Sequence, residues 1–217
     1  MKASIPTRKK VKLEWFKSKS KLTIERKIDI QYTSNSVFSN KINQYAIVKY
    51  ILLKAGEPVE IPPNSPMVLY KNNLPFLFLN ISECVGSKII SEDMIDDDIL
   101  VDDDIVHVKE GDPKISFEDA KSPKEHIEVR TRYDRISRLI NIENKLEEPI
   151  DIEINFKQTK DITYIKSTPQ PTEIEEPTYK FKISIPSESK TKITLELQAK
   201  IVKRVTKIKP EYLEKQK

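Results

Sequence analysis

The chain has 217 residues, 37% hydrophobic and 33% charged, and its 38 Lys and Arg against 34 Asp and Glu give a net charge of +4. This length allows one large domain or two ordinary domains with cores of their own. The single cysteine, Cys84, excludes an internal disulfide. Three scattered glycines exclude a glycine-rich phosphate loop, and no G-x-S-x-G motif is present, which argues against a nucleotide-dependent enzyme or a serine hydrolase.

The N-terminal residues MKASIPTRKKVKLEW lack the apolar core of a signal peptide. No apolar run approaches the ~18 residues of a membrane span. We therefore expect a soluble, cytoplasmic protein with no membrane partner. The many Ile, Lys and Glu residues, with fourteen prolines against three glycines, are typical of a thermophile protein. An AT-rich genome would give the same Ile and Lys bias, so both interpretations stay open.

Charge is segregated along the chain. Residues 1–30 hold ten basic and three acidic residues, and residues 179–217 hold eleven basic and four acidic ones. Residues 83–119 hold thirteen acidic and three basic residues. Basic ends and an acidic middle can pair within one molecule or between copies.

Apolar residues alternate with polar ones along most of the chain, as expected of half-buried β-strands. The alternation is clearest in PIDIEINF (149–156), whose one face is entirely apolar. A parity change near Asp134-Arg135 predicts a β-bulge there, and KNNLP predicts a hairpin turn at Asn72-Asn73. In chain order the predicted strands are 22–32, 45–53, 67–70, 76–81, 96–108, which holds one or two short strands, 126–142, which contains the bulge, 149–156, 162–165, 179–185 and 192–202. Residues 11–16 also alternate before the first of these strands.

About ten strands and no long amphipathic helix predict an all-β protein. We expect two β-sandwich-like lobes of antiparallel strands, an N-terminal β domain at 1–118 and a C-terminal, immunoglobulin-like sandwich at 119–217. Residues 210–217 are expected to form a short helical or frayed tail.

Three segments carry a resemblance to a family: PPNSPMVLYKNNLPFLFLNIS, DDDIVHVKEGD and RISRLINIENKLEEPIDIEINF. Their order resembles the C-terminal β-rich domain of the mucoidy-inhibitor-like proteins, over about residues 40–205. Asn64 and Ser65 depart from the small residue or Gly expected before Pro66, whereas Asn144 and Pro149-Ile150 match the last segment. The resemblance implies a truncated, free-standing member and a β-rich fold, and it supplies no site.

The acidic runs and an arginine cluster are the candidate interaction residues. Arg suits bidentate recognition of carboxylates, so the two sets are expected to pair within or between chains. The alternative for the acidic runs is a solvated rim, or a hard-cation site, although their spacing fits no EF-hand loop. The residues are Asp96, Asp97, Asp98, Asp102, Asp103, Asp104, Arg130, Arg132, Arg135 and Arg138.

His107, His126 and Cys84 are too few and too separated in sequence to predict a zinc site or a thiol nucleophile. We therefore predict no catalytic residue, no metal and no cofactor. The expected function is a non-catalytic protein-interaction or structural module that binds an unknown protein or its own copies. The alternative is a nucleic-acid-binding protein that uses the basic N-terminal segment, including Lys9, Lys10 and Trp15.

Overall fold

The computed structural model describes residues 20–54, 61–71 and 74–209. These residues form thirteen strands and one 3-10 turn at Ser36–Phe38, with no α-helix among them. The predicted all-β fold is therefore confirmed. The strands are β1 Ser20–Ile30, β2 Lys41–Lys54, β3 Pro66–Lys71, β4 Leu74–Val85, β5 Lys88–Ser91, β6 Met94–Lys109, β7 Lys114–Asp119, β8 Glu125–Asn144, β9 Ile150–Lys157, β10 Ile162–Thr168, β11 Glu173–Glu175, β12 Thr178–Ile185 and β13 Ser189–Ile208.

The described residues divide into two compact units. The smaller unit contains residues 20–24, 49–54, 61–71 and 74–93, and the larger contains 25–48 and 94–209. The boundary predicted between residues 118 and 119 falls inside the larger unit. The reason is that β6 precedes the predicted boundary and β8 follows it, and Ile99–Lys109 of β6 pairs with β8.

The larger unit is built on one long sheet with the strand order β10-β13-β8-β6-β2-β1-β9-β12-β11, and β7 pairs with β8. One pair departs from the predicted antiparallel arrangement, since β1 runs parallel to β9 over Lys27–Ile30 and Glu153–Phe156. Parallel neighbours need a long connection, and more than a hundred residues separate these two strands. The sheet is therefore mixed.

The core of the larger unit lies on the apolar faces of these strands. On β9, Ile150, Ile152, Ile154 and Phe156 are buried, as the alternation predicts. Tyr164 of β10 stacks on Tyr179 of β12 with 4.1 Å between ring centroids, although their strands lie towards opposite ends of the strand order. Strands from both ends of the strand order therefore contribute to a single core. Its members include Ile28, Ile30, Tyr32, Ile99, Val101, Ile136, Ile140, Ile142, Ile162, Phe181, Ile193, Leu195 and Leu197.

The predicted bulge near Asp134-Arg135 is wrong. β8 pairs with β13 in unbroken register, from Glu125 opposite Ile208 to Asn144 opposite Ser189. From Asp134 onward the even-numbered side chains of β8 are buried in the core, whereas Arg130 and Arg132 remain partly or fully exposed. The parity change marks the place where one continuous strand leaves the core, and not an inserted residue.

On the N-terminal side of Asp134 in β8, three paired strands extend away from the core as a sheet, which we call the arm. The arm consists of β7 with residues 125–131 of β8 and 203–208 of β13. All six residues of β7 are exposed. Gly111 introduces the arm, and a side chain there would meet the Tyr133 carbonyl oxygen at 2.2 Å from its Cβ. Only glycine therefore fits this close approach between backbones.

In the smaller unit, β3 and β4 form the predicted antiparallel hairpin, although its turn residues 72 and 73 lie outside the described part. β4 continues to β5 through a two-residue turn in which Gly86 has a φ of +59°, a value that favours glycine. β5 pairs with Ile51–Leu53 of β2. The buried apolar residues of this unit are Ile51, Leu69, Leu79, Ile81, Ile89 and Ile90.

Candidate functional site

The six predicted aspartates all lie on β6, but they do not form one surface. Asp97 and Asp98 are exposed, and Asp102 and Asp104 are half-buried. Asp96 is 8% exposed and accepts a hydrogen bond from Arg26 Nε at 2.8 Å. Asp103 has no exposed surface. Alternation along the strand therefore sends the members of each acidic run to opposite faces.

Asp103 and Arg138 pair inside the core. Arg138 Nε lies 2.7 Å from Asp103 Oδ1, and both side chains are 0% exposed. Arg138 also donates to the carbonyl oxygens of Val37 and Ser39, each at 2.9 Å, and of Asp103 at 3.0 Å. The guanidinium thus ties β8 to β6 and to the segment around the 3-10 turn.

The second oxygen of the Asp103 carboxylate is also satisfied. Tyr32 Oη donates to Oδ2 at 2.7 Å and Gln44 Nε2 donates to it at 3.1 Å. Burial raises the pKa of Tyr32 far above its ordinary value, and the Asp103 charge raises it further. The phenol therefore stays a neutral donor. The Arg138 guanidinium carbon lies 5.1 Å from the Tyr32 ring centroid, within the range of a cation–π contact.

A side chain without exposed surface cannot contact a partner, so Asp103 and Arg138 do not belong to an interaction surface. Their arrangement is a buried ion pair whose two carboxylate oxygens both accept hydrogen bonds. Tyr32 and Gln44 were absent from the sequence-based candidates. The signal that could have found the network is parity, because Asp103 alternates with Val101 and Ile105, and Arg138 with Ile136 and Ile140.

The four predicted arginines do not form a cluster. Arg130 pairs with Glu128, while Arg132 contacts Glu110 at 2.7 Å and Asp134 at 2.9 Å. Arg135 is exposed on the opposite side of β8 from Arg138. Each arginine therefore has different surroundings, and an interaction role for Arg130, Arg132 and Arg135 stays a prediction.

Apolar side chains stand in solvent along the hairpin of the smaller unit, a region that the charge pattern did not single out. Phe76 is 51% exposed and Phe78 is 68% exposed, while the alternating Leu79 is buried. On β3, the half-buried Val68 lies opposite Phe78 in the register, and Tyr70, which lies beyond a register shift, is 58% exposed. We call Val68, Tyr70, Phe76 and Phe78 the hairpin face.

His107 is exposed, and His126 packs edge-on against Phe117 with 5.1 Å between ring centroids. Within residues 20–54, 61–71 and 74–209, no group of three or more His, Cys, Asp or Glu side chains is placed to hold a metal ion. Lys9, Lys10 and Trp15, on which the nucleic-acid alternative depends, lie outside the described residues.

Comparison with known proteins gives no match to a family model, to a curated protein or to a solved structure. In the described part of the chain, no helix has the length and apolar character needed to cross a membrane.

Proposed function

We propose that this protein is a non-catalytic interaction module, and that it binds a protein partner through the hairpin face. The observation that carries the proposal is the exposure of Phe76 and Phe78, at 51% and 68%, on β4, where Leu79 and Ile81 on the other face are buried. Exposed apolar patches on soluble proteins mark binding surfaces. Burying a Phe side chain contributes about 1.5–3 kcal/mol, so two of them can anchor an interface.

The hairpin face is suited to a partner with an apolar, flat surface. Val68, Tyr70 and Phe78 have partners in the register of β3 and β4, and Phe76 lies at the register shift between Leu77 and Pro75. Strand pairing restricts the positions of these side chains before binding and so reduces the entropy lost on association. Aromatic residues on such surfaces supply much of the binding energy. We propose in addition that the protein is cytoplasmic, that its C-terminal part is an immunoglobulin-like sandwich, and that it is related to the mucoidy-inhibitor-like proteins. Each of these statements is compatible with an interaction role.

Affinity capture from a lysate of the source organism, with and without nuclease, tests the proposal. The baits are the wild type, Phe76→Ser/Phe78→Ser, and the control Ile174→Ser, which removes an apolar side chain that is 56% exposed on β11. We expect a protein that wild type and control capture equally and that the hairpin variant loses, whether nuclease is present or not. The captured protein, once purified, is expected to bind wild type and Ile174→Ser with equal affinity and the hairpin variant more weakly.

Equal capture by all three baits would contradict the proposal that the hairpin face binds the partner. Capture that disappears with nuclease would favour the nucleic-acid alternative. A fourth bait, Asp97→Asn/Asp98→Asn, tests the predicted acidic surface, with Glu147→Gln/Glu148→Gln as its matched control. Both variants neutralise two adjacent exposed carboxylates, so a loss confined to the first would assign binding to the Asp97-Asp98 segment.

A further inference from the structure

β7 is an edge strand of the arm. Among the described residues it pairs with β8 alone, from Lys114 opposite Thr131 to Asp119 opposite His126. Its other edge therefore presents backbone donors and acceptors that a further strand can use. Ile115 and Phe117 are 54% and 66% exposed on one of its faces. Lys114, Ser116 and Glu118 lie on the other face, because successive side chains alternate.

The sequence of β7 complements itself when two copies run antiparallel. A two-fold axis perpendicular to the sheet keeps each residue on its own face, so residues that oppose each other must have the same parity. With Ser116 on the axis, Ile115 opposes Phe117 of the second copy, twice. Lys114 opposes Glu118 of the second copy, also twice. All four cross-strand pairs are thus apolar with apolar or cation with anion, and such pairs stabilise a sheet.

The neighbouring register is less favourable. With Phe117 on the axis, Ile115 would oppose Asp119 and Ser116 would oppose Glu118. These pairs place an apolar side chain or a hydroxyl beside a carboxylate, so they lack both kinds of complementarity. Of these two registers, the one centred on Ser116 satisfies both faces of the strand.

We infer that β7 pairs antiparallel with β7 of a second copy of this chain, with Ser116 at the two-fold axis, and so joins two arms into one continuous sheet. A C₂ interface of this kind uses the same surface patch on both subunits. Six-residue strands place it among the small interfaces, below about 1,200 Å² in total. The dimer is therefore concentration-dependent. It uses the arm of the larger unit and does not depend on the proposed hairpin face.

Glu118 forms an ion pair within its own chain, and the choice of variants takes this ion pair into account. Arg204 Nη2 lies 3.5 Å from Glu118 Oε1, and these side chains are 61% and 49% exposed. A carboxylate can accept from both Arg204 and the second copy's lysine, because it offers about four lone-pair sites. Reversing Lys114 leaves the Arg204 contact intact, so Lys114→Glu is the cleaner single change.

Cysteine cross-linking tests the register directly. In a Cys84→Ser background, Ser116→Cys places two thiols on residues whose Cα atoms are about 4.5–5.5 Å apart in the inferred dimer, a separation that a disulfide spans. Lys114→Cys is the matched control on the same face, since its two copies are displaced along the strands by about 13 Å. We expect mild oxidation to cross-link the Ser116→Cys protein at least about tenfold faster.

Charge reversal tests the ionic pairs. Lys114→Glu places two carboxylates opposite each other at two positions, so we expect it to slow the cross-linking of the Ser116→Cys protein several-fold. Lys114→Glu/Glu118→Lys restores opposite charges, and we expect it to restore the rate. Circular dichroism and urea midpoints verify that each variant is folded, which the full exposure of β7 favours. Equal rates for Ser116→Cys and Lys114→Cys, or no recovery in the double reversal, would overturn the inference.

Discussion

Asp103 and Arg138 are charged residues at positions where the alternation of their strands requires apolar ones. Each is surrounded by Ile or Val two residues away, and each is 0% exposed. The pair remains in the core because every oxygen of the carboxylate accepts a hydrogen bond and the guanidinium donates four. Sequence alternation identified the strands, but it did not show which chain segments would supply the partners.

Arg138→Met tests the buried pair. It leaves the Asp103 carboxylate in the core without its cation, and breaking such a pair costs about 3–5 kcal/mol. Asp103→Asn/Arg138→Met removes the uncompensated charge, so we expect it to be more stable than Arg138→Met alone. Urea unfolding measures both. Lys41→Met is the control and should change the unfolding free energy little, because the Lys41–Asp102 pair is half exposed.

A value for Arg138→Met within about 1 kcal/mol of wild type would contradict this account, because that is the range of a surface pair. A double variant less stable than Arg138→Met would contradict it as well, since it would mean that the carboxylate charge itself is not the source of the cost.

Gly111→Ala tests the close approach at the start of the arm. The new methyl group would lie 2.2 Å from the Tyr133 carbonyl oxygen, so the backbone must shift. That shift also disturbs the hydrogen bond from Gly111 N to Asp134 Oδ1, which is 3.0 Å long. We expect a loss of about 1–3 kcal/mol in the free energy of unfolding, with Asp112→Ala as a neutral control. Equal unfolding free energies for the two variants would show that the close contact between residue 111 and the Tyr133 carbonyl oxygen does not require glycine.

At the scale of elements, the regular strands were predictable and the long pairings were not. Ile150, Ile152, Ile154 and Phe156 of β9 are buried as their alternation predicts, because a period of two fixes the face. The parallel neighbour β1 lies far away in sequence, and alternation contains no information on it. The parity change in β8 predicts a bulge, but an apolar face also changes where a strand leaves its core, and alternation alone does not distinguish these two cases.

Glu128 links the strands of the arm and gives them a pH dependence. Hydrogen bonds from Lys207 and then Arg130 hold the pKa of Glu128 below its ordinary value. The folded pKa is thus lower than the unfolded value of about 4.3. The contribution of Glu128 to stability is fully present above that value and is lost as the pH falls through the folded pKa.

Glu128→Gln should therefore be less stable than wild type at pH 7, and the difference should shrink as the pH is lowered from about 5 to about 3. Urea unfolding at several pH values measures this, and Glu147→Gln, an exposed carboxyl, is the control. A difference that is constant across the pH range would show that the Glu128 charge is not responsible.

At the scale of the whole molecule, the charge segregation along the sequence is partly resolved within the chain. Arg26, from the basic residues 1–30, pairs with Asp96, and Arg204, from the basic residues 179–217, lies 3.5 Å from Glu118. The side chains to which the proposed function assigns partner binding are apolar ones on the hairpin face. Charge patterning could not reveal them, and the apolar run FLFL at 76–79 is also typical of a strand that is buried on both faces.

The most direct test of the proposed function is calorimetric titration of the captured partner into wild type and Phe76→Ser/Phe78→Ser at several temperatures. Burial of apolar surface gives a negative heat-capacity change on binding. We predict such a change for wild type and for Ile174→Ser, together with at least about tenfold weaker binding and a smaller heat-capacity change for the hairpin variant. Equal affinities and equal heat-capacity changes in all three proteins would contradict the assignment of the hairpin face as the binding surface.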